Sequence, residues 1–332
     1  MRILITGGSG FIGTRLVAEL CRLGYNVTIF DKAPSHAFPE LVIRGDVRNQ
    51  DQLTDALQHH NAVFHLAAEH RDDVTPLSLY DEVNIGGAEN LTRAMDQTGC
   101  KRIIFTSSVA VYPLNAGNPT EEHETRPFNH YGHSKLGAEN VFKKWFNKCT
   151  DRRLSIVRPC VVFGERNRGN VYNLLHQISR GRFIMVGSGR NYKSMAYVGN
   201  IVPFLVSRLD AEPGLHVLNY ADKPDLCTEE IVSIANKAFG RNGLASHIKI
   251  PYSLGLLGGQ FFDALSGFTG RKYALSKIRI EKFCADTTVS ADRIEQIGFQ
   301  RPYRLTEGIT RMIESEFLST DQSAPLFESA GG

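Results

Sequence analysis

The first half of the chain alternates short apolar runs with amphipathic segments. The runs are rich in Val, Ile and Phe and predict strands over residues 2–6, 26–30, 41–45, 62–66, 102–107 and 154–159. Helical periodicity between several of them predicts helices over residues 11–23, 51–58, 78–98 and 132–148. The apolar runs do not alternate strictly with polar residues, so both faces of the sheet should be covered, and the strand–helix order predicts parallel βαβ units. The pattern predicts an α/β fold with a doubly wound parallel sheet.

The alternation of predicted strands and helices ends near residue 160. The remaining chain has isolated helical patterns, at 228–239 and 305–318, with turn-forming Gly and Pro between them. We therefore predict a nucleotide-binding core over residues 1–160, with later segments returning to the sheet, and a smaller C-terminal substrate-binding lobe over 161–318. The tail at 319–332 has no periodic apolar face and is predicted to be mobile.

Composition narrows the class of partner. The 332 residues are 42% hydrophobic, and 38 basic and 35 acidic residues are interspersed to a net charge of +3. Because no block of like charge occurs, we expect a small-molecule partner and no nucleic acid. Six cysteines without ligand spacing predict reduced thiols and no metal site. The start "MRILITGG" enters a strand pattern directly, so we expect a cytoplasmic protein without an export leader.

A glycine-rich turn follows the first predicted strand. The segment "TGGSGFIGTRL" places Gly7, Gly10 and Gly13 where a strand turns into a helix. Missing side chains let the backbone approach a pyrophosphate, and the helix N-terminus offers N–H groups, as in Rossmann-type sheets. Asp31 ends the second strand, where a carboxylate binds ribose hydroxyls and repels a 2′-phosphate. NAD is therefore favoured over NADP, although Lys32 lies next to Asp31.

Two further motifs contain candidate catalytic residues. The segment "FTSSVAVYP" places Thr106 and Ser108 at the carboxyl end of the fifth strand, where ligands bind in open α/β sheets. The segment "HYGHSK" places Tyr131 and Lys135 on one helix face. Each motif alone is weak. Together, in this order, they resemble the extended short-chain dehydrogenase/reductase family, which contains the nucleotide-sugar epimerases and dehydratases.

The resemblance implies roles for these residues. Tyr131 matches the family's tyrosine that transfers a proton. Lys135 matches the lysine that lowers the pKa of that tyrosine and holds the nicotinamide ribose. Ser108 matches the residue that supplies the catalytic hydroxyl. It also implies an NAD site that is formed by Gly7, Gly10, Phe11, Ile12, Gly13, Asp31, Asp46, Val47, Leu66, Ala67, Ala68, Asn84, Thr106, Tyr131 and Lys135.

Local residues narrow the reaction. Dehydratases of the family have Asp-Glu after the catalytic hydroxyl residue, whereas this chain has Val109 and Ala110. Dehydration is therefore disfavoured. Oxidation of a sugar carbinol and return of the hydride to the other face remain, and the family resemblance places that carbinol at C4. The expected activity is a 4-epimerase.

The expected substrate is anionic. Where nucleotide-sugar epimerases carry an "RDYIHVxD"-like stretch, "KSMAYVGN" has Lys193 and Asn200 in place of Arg and Asp. Lysine is a point charge and lacks the bidentate fork of arginine, so a diphosphate would be held differently. The expected substrate-binding residues are Ser108, Arg71, Arg166, Arg168, Lys193 and Arg279.

Several segments, among them "NYKSMAYVGNIV" and "KIRIEKFCA", resemble a narrower group of the family that acts on GlcNAc-diphospho-undecaprenol in O-antigen assembly. This resemblance implies a lipid-linked substrate and an enzyme at the inner face of the plasma membrane. The apolar stretch 251–270 either touches that membrane or packs within the substrate lobe. The family resemblance also implies a homodimer through the helices at about 78–98 and 132–148.

Three alternatives remain open at this point. A UDP-GlcNAc or other UDP-sugar 4-epimerase would keep the chemistry and change the carrier. A net reductase or dehydrogenase would consume cofactor in proportion to product. A silent NAD-binding scaffold is disfavoured because Tyr131 and Lys135 are both present.

Overall fold

The structure is a computed structural model that describes residues 1–71, 74–241, 248–269 and 277–319. Its first half contains strands β1 (Arg2–Thr6), β2 (Asn26–Asp31), β3 (Val42–Arg44), β4 (Ala62–His65), β5 (Arg102–Thr106) and β6 (Arg153–Pro159). The helices there are α1 (Phe11–Arg22), α2 (Gln50–Leu57), α3 (Ser78–Tyr80), α4 (Gly87–Thr98) and α5 (His130–Phe146). A π-helix, Asp81–Gly86, joins α3 to α4, so the helix predicted over 78–98 is continuous but locally widened.

The second half holds shorter strands and further helices. Its strands are β7 (Val161–Phe163), β8 (Ile184–Val186), β9 (Tyr192–Tyr197), β10 (Gly214–Tyr220), β11 (Asp222–Cys227) and β12 (Ile248–Ile250). Its helices are α6 (Asn170–Ser179), α7 (Val198–Ser207), α8 (Thr228–Ala238), α9 (Tyr252–Thr269), α10 (Lys277–Cys284), α11 (Asp292–Gln296) and α12 (Leu305–Ile313). The predicted mobile tail lies outside the described residues apart from Ser319.

The large sheet is parallel and confirms the predicted fold class. Its order within the described residues is β3-β2-β1-β4-β5-β6-β10. The first six positions have the strand order of a Rossmann fold, whose direction reverses between β1 and β4. β10 returns from the second half of the chain and pairs with β6 over Gly214–Tyr220. Ligands bind at the carboxyl end of such a reversal, so the sheet order places the candidate site there.

Helices cover both faces of the sheet. Ile3 and Ile5 of β1 belong to one buried cluster together with Leu16 of α1, and Leu4 belongs to a second cluster together with Leu91 of α4. Successive strand residues point to opposite faces, so three consecutive apolar residues supply two cores. This explains why β1 reads as an unbroken apolar run.

The second half builds smaller sheets beside the large one. Their orders are β11-β9-β7 and β12-β8. Across the part of the chain that the structure describes, none of the helices combines the length and apolarity needed to cross a bilayer.

Candidate active site

The turn between β1 and α1 brings two stretches of backbone into close contact. Gly7 has φ +75°, and a Cβ there would lie 2.5 Å from the amide nitrogen of Ala67. A Cβ on Gly13 would lie 2.4 Å from the carbonyl oxygen of Gly7. Only glycine fits at these two positions, and the turn therefore stays free of side chains where α1 begins.

A cavity of about 1310 Å³ opens at the carboxyl ends of the central strands. It is bordered by most of the residues that the sequence assigns to the cofactor. These are Gly7, Gly10, Phe11, Ile12, Gly13, Asp31, Asp46, Val47, Leu66, Ala67, Ala68, Thr106, Tyr131 and Lys135. Residues that are far apart in the chain thus share one cavity.

Two carboxylates border the end of the cavity next to β2. Asp31 accepts hydrogen bonds from the backbone N–H groups of Ser9 and Ala33, both at 3.0 Å, which hold the carboxylate against the glycine turn. Its remaining lone pairs can accept from ribose hydroxyls. Asp46 pairs with Arg48 at 2.7 Å, and the hydrogen bond from Arg48 lowers the pKa of Asp46.

Thr106 supplies an independent sign of a ligand. Its Oγ1 is buried, borders the cavity, and has no hydrogen-bond partner among the described residues. Buried polar groups are nearly always hydrogen-bonded, so this hydroxyl indicates a polar ligand group beside it. The bare glycine turn, the oriented Asp31 and this hydroxyl together fit NAD.

Asn84 lies behind the cavity wall, on the π-helix. Its side-chain amide donates to the carbonyl of Glu69 at 3.0 Å and to Oγ of Ser134 at 2.8 Å, and its Oδ1 accepts from the N–H of Glu69 at 2.8 Å. Ser134 in turn donates to the carbonyl of Tyr131 at 2.9 Å. Asn84 therefore connects the segment after β4 to the first turn of α5.

The start of α5 positions Tyr131. The side chain of Asn129 caps the helix by accepting from the N–H of Gly132 at 2.8 Å. The hydroxyl of Tyr131 is hydrogen-bonded to Ser108, whose Oγ also accepts from the N–H of Ala110 at 3.1 Å. Desolvation of the phenol raises the pKa of Tyr131 to about 12, against the opposing effect of the Ser108 hydrogen bond.

Lys135 lies one turn further along α5. Its ammonium group is 4.3 Å from the centroid of the Phe105 ring, and burial lowers the pKa of Lys135 to about 7, against the raising effect of Glu139. The sequence led us to expect that Lys135 lowers the pKa of Tyr131. That role stays a prediction. In the structure the ammonium lies on the Phe105 ring, and the hydrogen bond from Ser108 opposes the effect of burial on the pKa of Tyr131.

Beneath these residues lies a buried ion pair that sequence reasoning missed. Arg158 of β6 donates to both carboxylate oxygens of Glu139, at 2.8 and 2.7 Å, and Ser107 donates to one of them at 2.6 Å. Arg158 also donates to the hydroxyl of Tyr112 at 2.8 Å. Glu139 stands four residues after Lys135, a spacing that would have placed it on the same helix face.

The predicted substrate-binding residues separate into two groups. Ser108, Arg71 and Arg168 border the cavity. Arg166 instead has φ +65° and donates its backbone N–H to Glu316. Lys193 donates its ammonium to the backbone carbonyls of Lys282, at 3.1 Å, and of Ala285, at 2.5 Å, which ties β9 to the end of α10. The side chain of Arg279 lies outside the described residues.

Lys282 is a basic residue of the cavity wall that sequence reasoning did not name. It stands in the same "KIRIEKFCA" segment as Arg279, three residues further along α10. The family resemblance gave no signal at this position.

Comparison with known proteins gives concordant matches. The chain is 50% identical over 329 residues to the N-acetyl-alpha-D-glucosaminyl-diphospho-ditrans,octacis-undecaprenol 4-epimerase of Escherichia coli O157:H7, and the match covers 98% of each chain. It is 32% identical over 245 residues to the UDP-glucose 4-epimerase of Vibrio cholerae, covering 69% of this chain and 73% of that one. The solved structure of MoeE5 in complex with UDP-glucuronic acid and NAD is similar with a TM-score of 0.75 at 26% identity, covering 95% of this chain and 98% of that one.

The family model described as "NAD dependent epimerase/dehydratase family" matches residues 3–219. This range includes the glycine turn, the strand-end hydroxyls and the helix that carries Tyr131 and Lys135. The chain therefore belongs to the NAD dependent epimerase/dehydratase family.

Proposed function

We propose that this protein is an NAD-dependent 4-epimerase that interconverts GlcNAc and GalNAc on undecaprenyl diphosphate, through a transient 4-keto sugar. The observation that carries the reaction type is the composition of the cavity around Ser108. One proton-transferring group, Tyr131, is hydrogen-bonded there, whereas the next two positions, Val109 and Ala110, supply no acid or base for loss of water. The carrier is proposed from the relative that shares 50% of its residues with this chain.

The residues of the site have separate roles in this reaction. The cofactor would be held by the glycine turn, Asp31 and Thr106, and it would supply the hydride acceptor for oxidation at C4 and the hydride donor for reduction at the opposite face of the keto sugar. Tyr131 removes the C4 hydroxyl proton and gives it back, while Ser108 orients both the phenol and the sugar oxygen by hydrogen bonding. Arg71 and Arg168 border the same cavity as these residues, where they are paired with Glu69 and Glu316, each at 3.3 Å.

Substrate choice between carriers gives the first test. We expect the purified protein to convert GlcNAc-diphospho-undecaprenol to the GalNAc form much faster than it converts UDP-GlcNAc, without accumulation of NADH. Both reactions can be followed by separating the released sugars. Conversion of UDP-GlcNAc alone would contradict the lipid carrier, and consumption of added cofactor in proportion to product would contradict epimerisation.

We also propose that α9 rests on the membrane that holds such a substrate. The helix buries Gly255 and Gly259, where a Cβ would lie 2.4 Å from the Val186 side chain and 2.7 Å from the backbone of Lys277. The close approach on the glycine side turns the large residues outward, so that Leu254, Leu257 and Phe261 are 57%, 60% and 64% exposed. Their spacing of three and four residues forms one apolar ridge on the surface.

The other apolar residues of the stretch 251–270 are less exposed. Leu256, Phe262 and Leu265 are half-buried, and the side chain of Phe268 lies outside the described residues. The stretch therefore packs with one face and exposes the other. An exposed apolar ridge on a helix of this kind suits the interface of a lipid surface.

The ridge predicts a vesicle-binding phenotype. Replacing Leu257 and Phe261 together by Asp should weaken binding to phosphatidylethanolamine–phosphatidylglycerol vesicles by at least about tenfold, because burial of each large side chain contributes about 1.5–3 kcal/mol. Flotation with the vesicles measures this. Leu23→Asp is the matched control, since Leu23 is 45% exposed elsewhere on the surface. Equal flotation of the double variant and the wild type would rule out the ridge as the contact.

A further inference from the structure

A second cavity, of about 680 Å³, lies between the end of β8 and the pair α9 and α10. Val186 and Gly187 form its β8 side. Tyr252 of α9 and Ile278 of α10 form the opposite side. Tyr252 is 43% exposed and Ile278 58% exposed, so the cavity opens to the surface between apolar side chains.

The second cavity adjoins the active-site cavity. Leu114, Asn115 and Lys282 border both. A ligand that extends from Tyr131 toward α9 and α10 would pass these three residues. The apolar ridge of α9 begins two residues after Tyr252, so the path leads toward the proposed membrane contact.

The wall of the second cavity combines apolar side chains with polar ones, among them Asn115, Ser188 and Glu281. Leu114, Val186, Tyr252 and Ile278 contribute apolar surface. Asn191, a polar residue of the wall, uses its amide group within the protein: it donates to the carbonyl of Phe283 at 2.7 Å, and its Oδ1 accepts from Thr228 at 3.1 Å. Its hydrogen-bonding capacity is thus largely satisfied without a ligand.

Lys282 places a cation at the junction of the two cavities. Its ammonium lies 5.3 Å from the centroid of the Phe128 ring, and within the described residues no carboxylate forms an ion pair with it. Its backbone carbonyl accepts the hydrogen bond from Lys193, which fixes the end of α10. By contrast, Lys277, on the same helix, pairs with Glu281 at 3.8 Å on the surface. Lys282 is therefore a positioned charge available to a ligand.

We infer that Lys282 binds the diphosphate of the lipid-linked sugar and that the second cavity holds the first isoprene units of the lipid. The inference rests on the proposed function. A diphosphate that bridges a sugar beside Tyr131 and a lipid beside Tyr252 must cross the junction, where an ammonium group stabilises its negative charge. Lys282 thus replaces Lys193, which is bound to backbone carbonyls, as the diphosphate ligand.

Short, water-soluble substrates test the cavity without a membrane. GlcNAc diphosphate esterified with methanol, with a two-isoprene alcohol and with a three-isoprene alcohol should show KM falling by at least about tenfold from the methyl ester to the longest ester, because each buried methylene adds affinity. Ile278→Asp should abolish this gain, so that the variant has about the same KM for the longest ester as for its methyl ester.

Lys282→Met tests the charge. It should raise KM for every ester by about tenfold and change kcat little, as expected for a lost charge-assisted contact. Lys101→Met is the control, because Lys101 forms an exposed pair with Asp151 and borders neither cavity; it should stay within about twofold of the wild type, since exposed pairs contribute little.

The outcomes separate the two proposals. Turnover of UDP-GlcNAc with no turnover of any ester would overturn both the proposed function and this inference. Turnover of the esters with a KM that depends neither on chain length nor on Lys282 would overturn this inference alone and leave the epimerase assignment intact.

Discussion

Tyr131→Phe should lower kcat by about two to four orders of magnitude, the usual contribution of a positioned proton-transferring group. The phenol hydroxyl is the group of the cavity that is bonded to Ser108 and placed by the Asn129 cap of α5. With a pKa of about 12, the phenol holds its proton at neutral pH, so turnover requires the bound cofactor and substrate to favour the ionised form. Removing the hydroxyl removes the base of the oxidation step and the acid of the step in which the hydride returns.

Two measurements distinguish this role from a structural one. The NAD content of the purified variant, released by denaturation, should equal that of the wild type, since the glycine turn and Asp31 are untouched. Tyr25→Phe is the control, because Tyr25 precedes β2 at the opposite end of the sheet. If Tyr131→Phe kept kcat within about tenfold of the wild type, another residue would have to be the base.

Arg158→Leu should lower the free energy of unfolding by about 3–5 kcal/mol, the typical cost of leaving a buried charge unpaired. The side chains of Glu139 and Arg158 are 0% and 3% exposed, and Arg158 makes two hydrogen bonds to the Glu139 carboxylate. Lys143 approaches the same carboxylate at 3.2 Å but is 30% exposed, so it compensates only in part. Urea denaturation of the variant measures the change.

Two controls make this result specific. Arg22→Leu breaks the pair with Glu19, at 2.7 Å, in which Arg22 is 67% exposed, and should leave the urea midpoint close to that of the wild type. Combining Arg158→Leu with Glu139→Leu removes both buried charges and should recover much of the lost stability. A double variant as unstable as Arg158→Leu would show that the loss comes from packing.

The same pair links stability to the reaction. Glu139 raises the pKa of Lys135 against the lowering effect of burial, and it fixes Ser107 next to Ser108, the proposed catalytic hydroxyl. The double variant should therefore be stable but impaired in turnover. The pKa of Lys135 is about 7 and falls further without Glu139, so the loss relative to the wild type should be largest just below pH 7 and should disappear well above it, where Lys135 is uncharged in both proteins.

The strands that are buried on both faces were predictable, and the short strands of the second half were not. β1, β2 and β4 to β6 read as apolar runs because neighbouring side chains enter opposite cores, whereas β3 is a largely exposed edge strand of three residues. β7, β8 and β12 have only three residues each, and several of these are exposed. β8 pairs with β12, more than sixty positions later in the chain, so no local pattern marks either strand.

The site residues also divide into those that a local sequence pattern predicts and those that it does not. The turn at Gly7 and the shared face of Tyr131 and Lys135 are local features, and their spacing alone placed them together. The contacts of Lys193 and Lys282 depend on where α10 ends relative to β9, which is decided by packing between segments about ninety residues apart. The sequence therefore predicted Lys193 as a substrate-binding residue and did not predict Lys282.

The sequence by itself determined the parallel sheet, the dinucleotide turn and the helix face that carries Tyr131 and Lys135, because each follows from a local pattern: the alternation of strands and helices, the spacing of glycines and the period of a helix. The direction in which α9 faces was decided only by the tertiary structure. The glycine face and the leucine face of α9 are both apolar in the sequence. Helical periodicity predicts which residues share a face, but it does not predict which other element covers that face. Val186 and α10 approach Gly255 and Gly259, and this packing leaves Leu254, Leu257 and Phe261 on the surface.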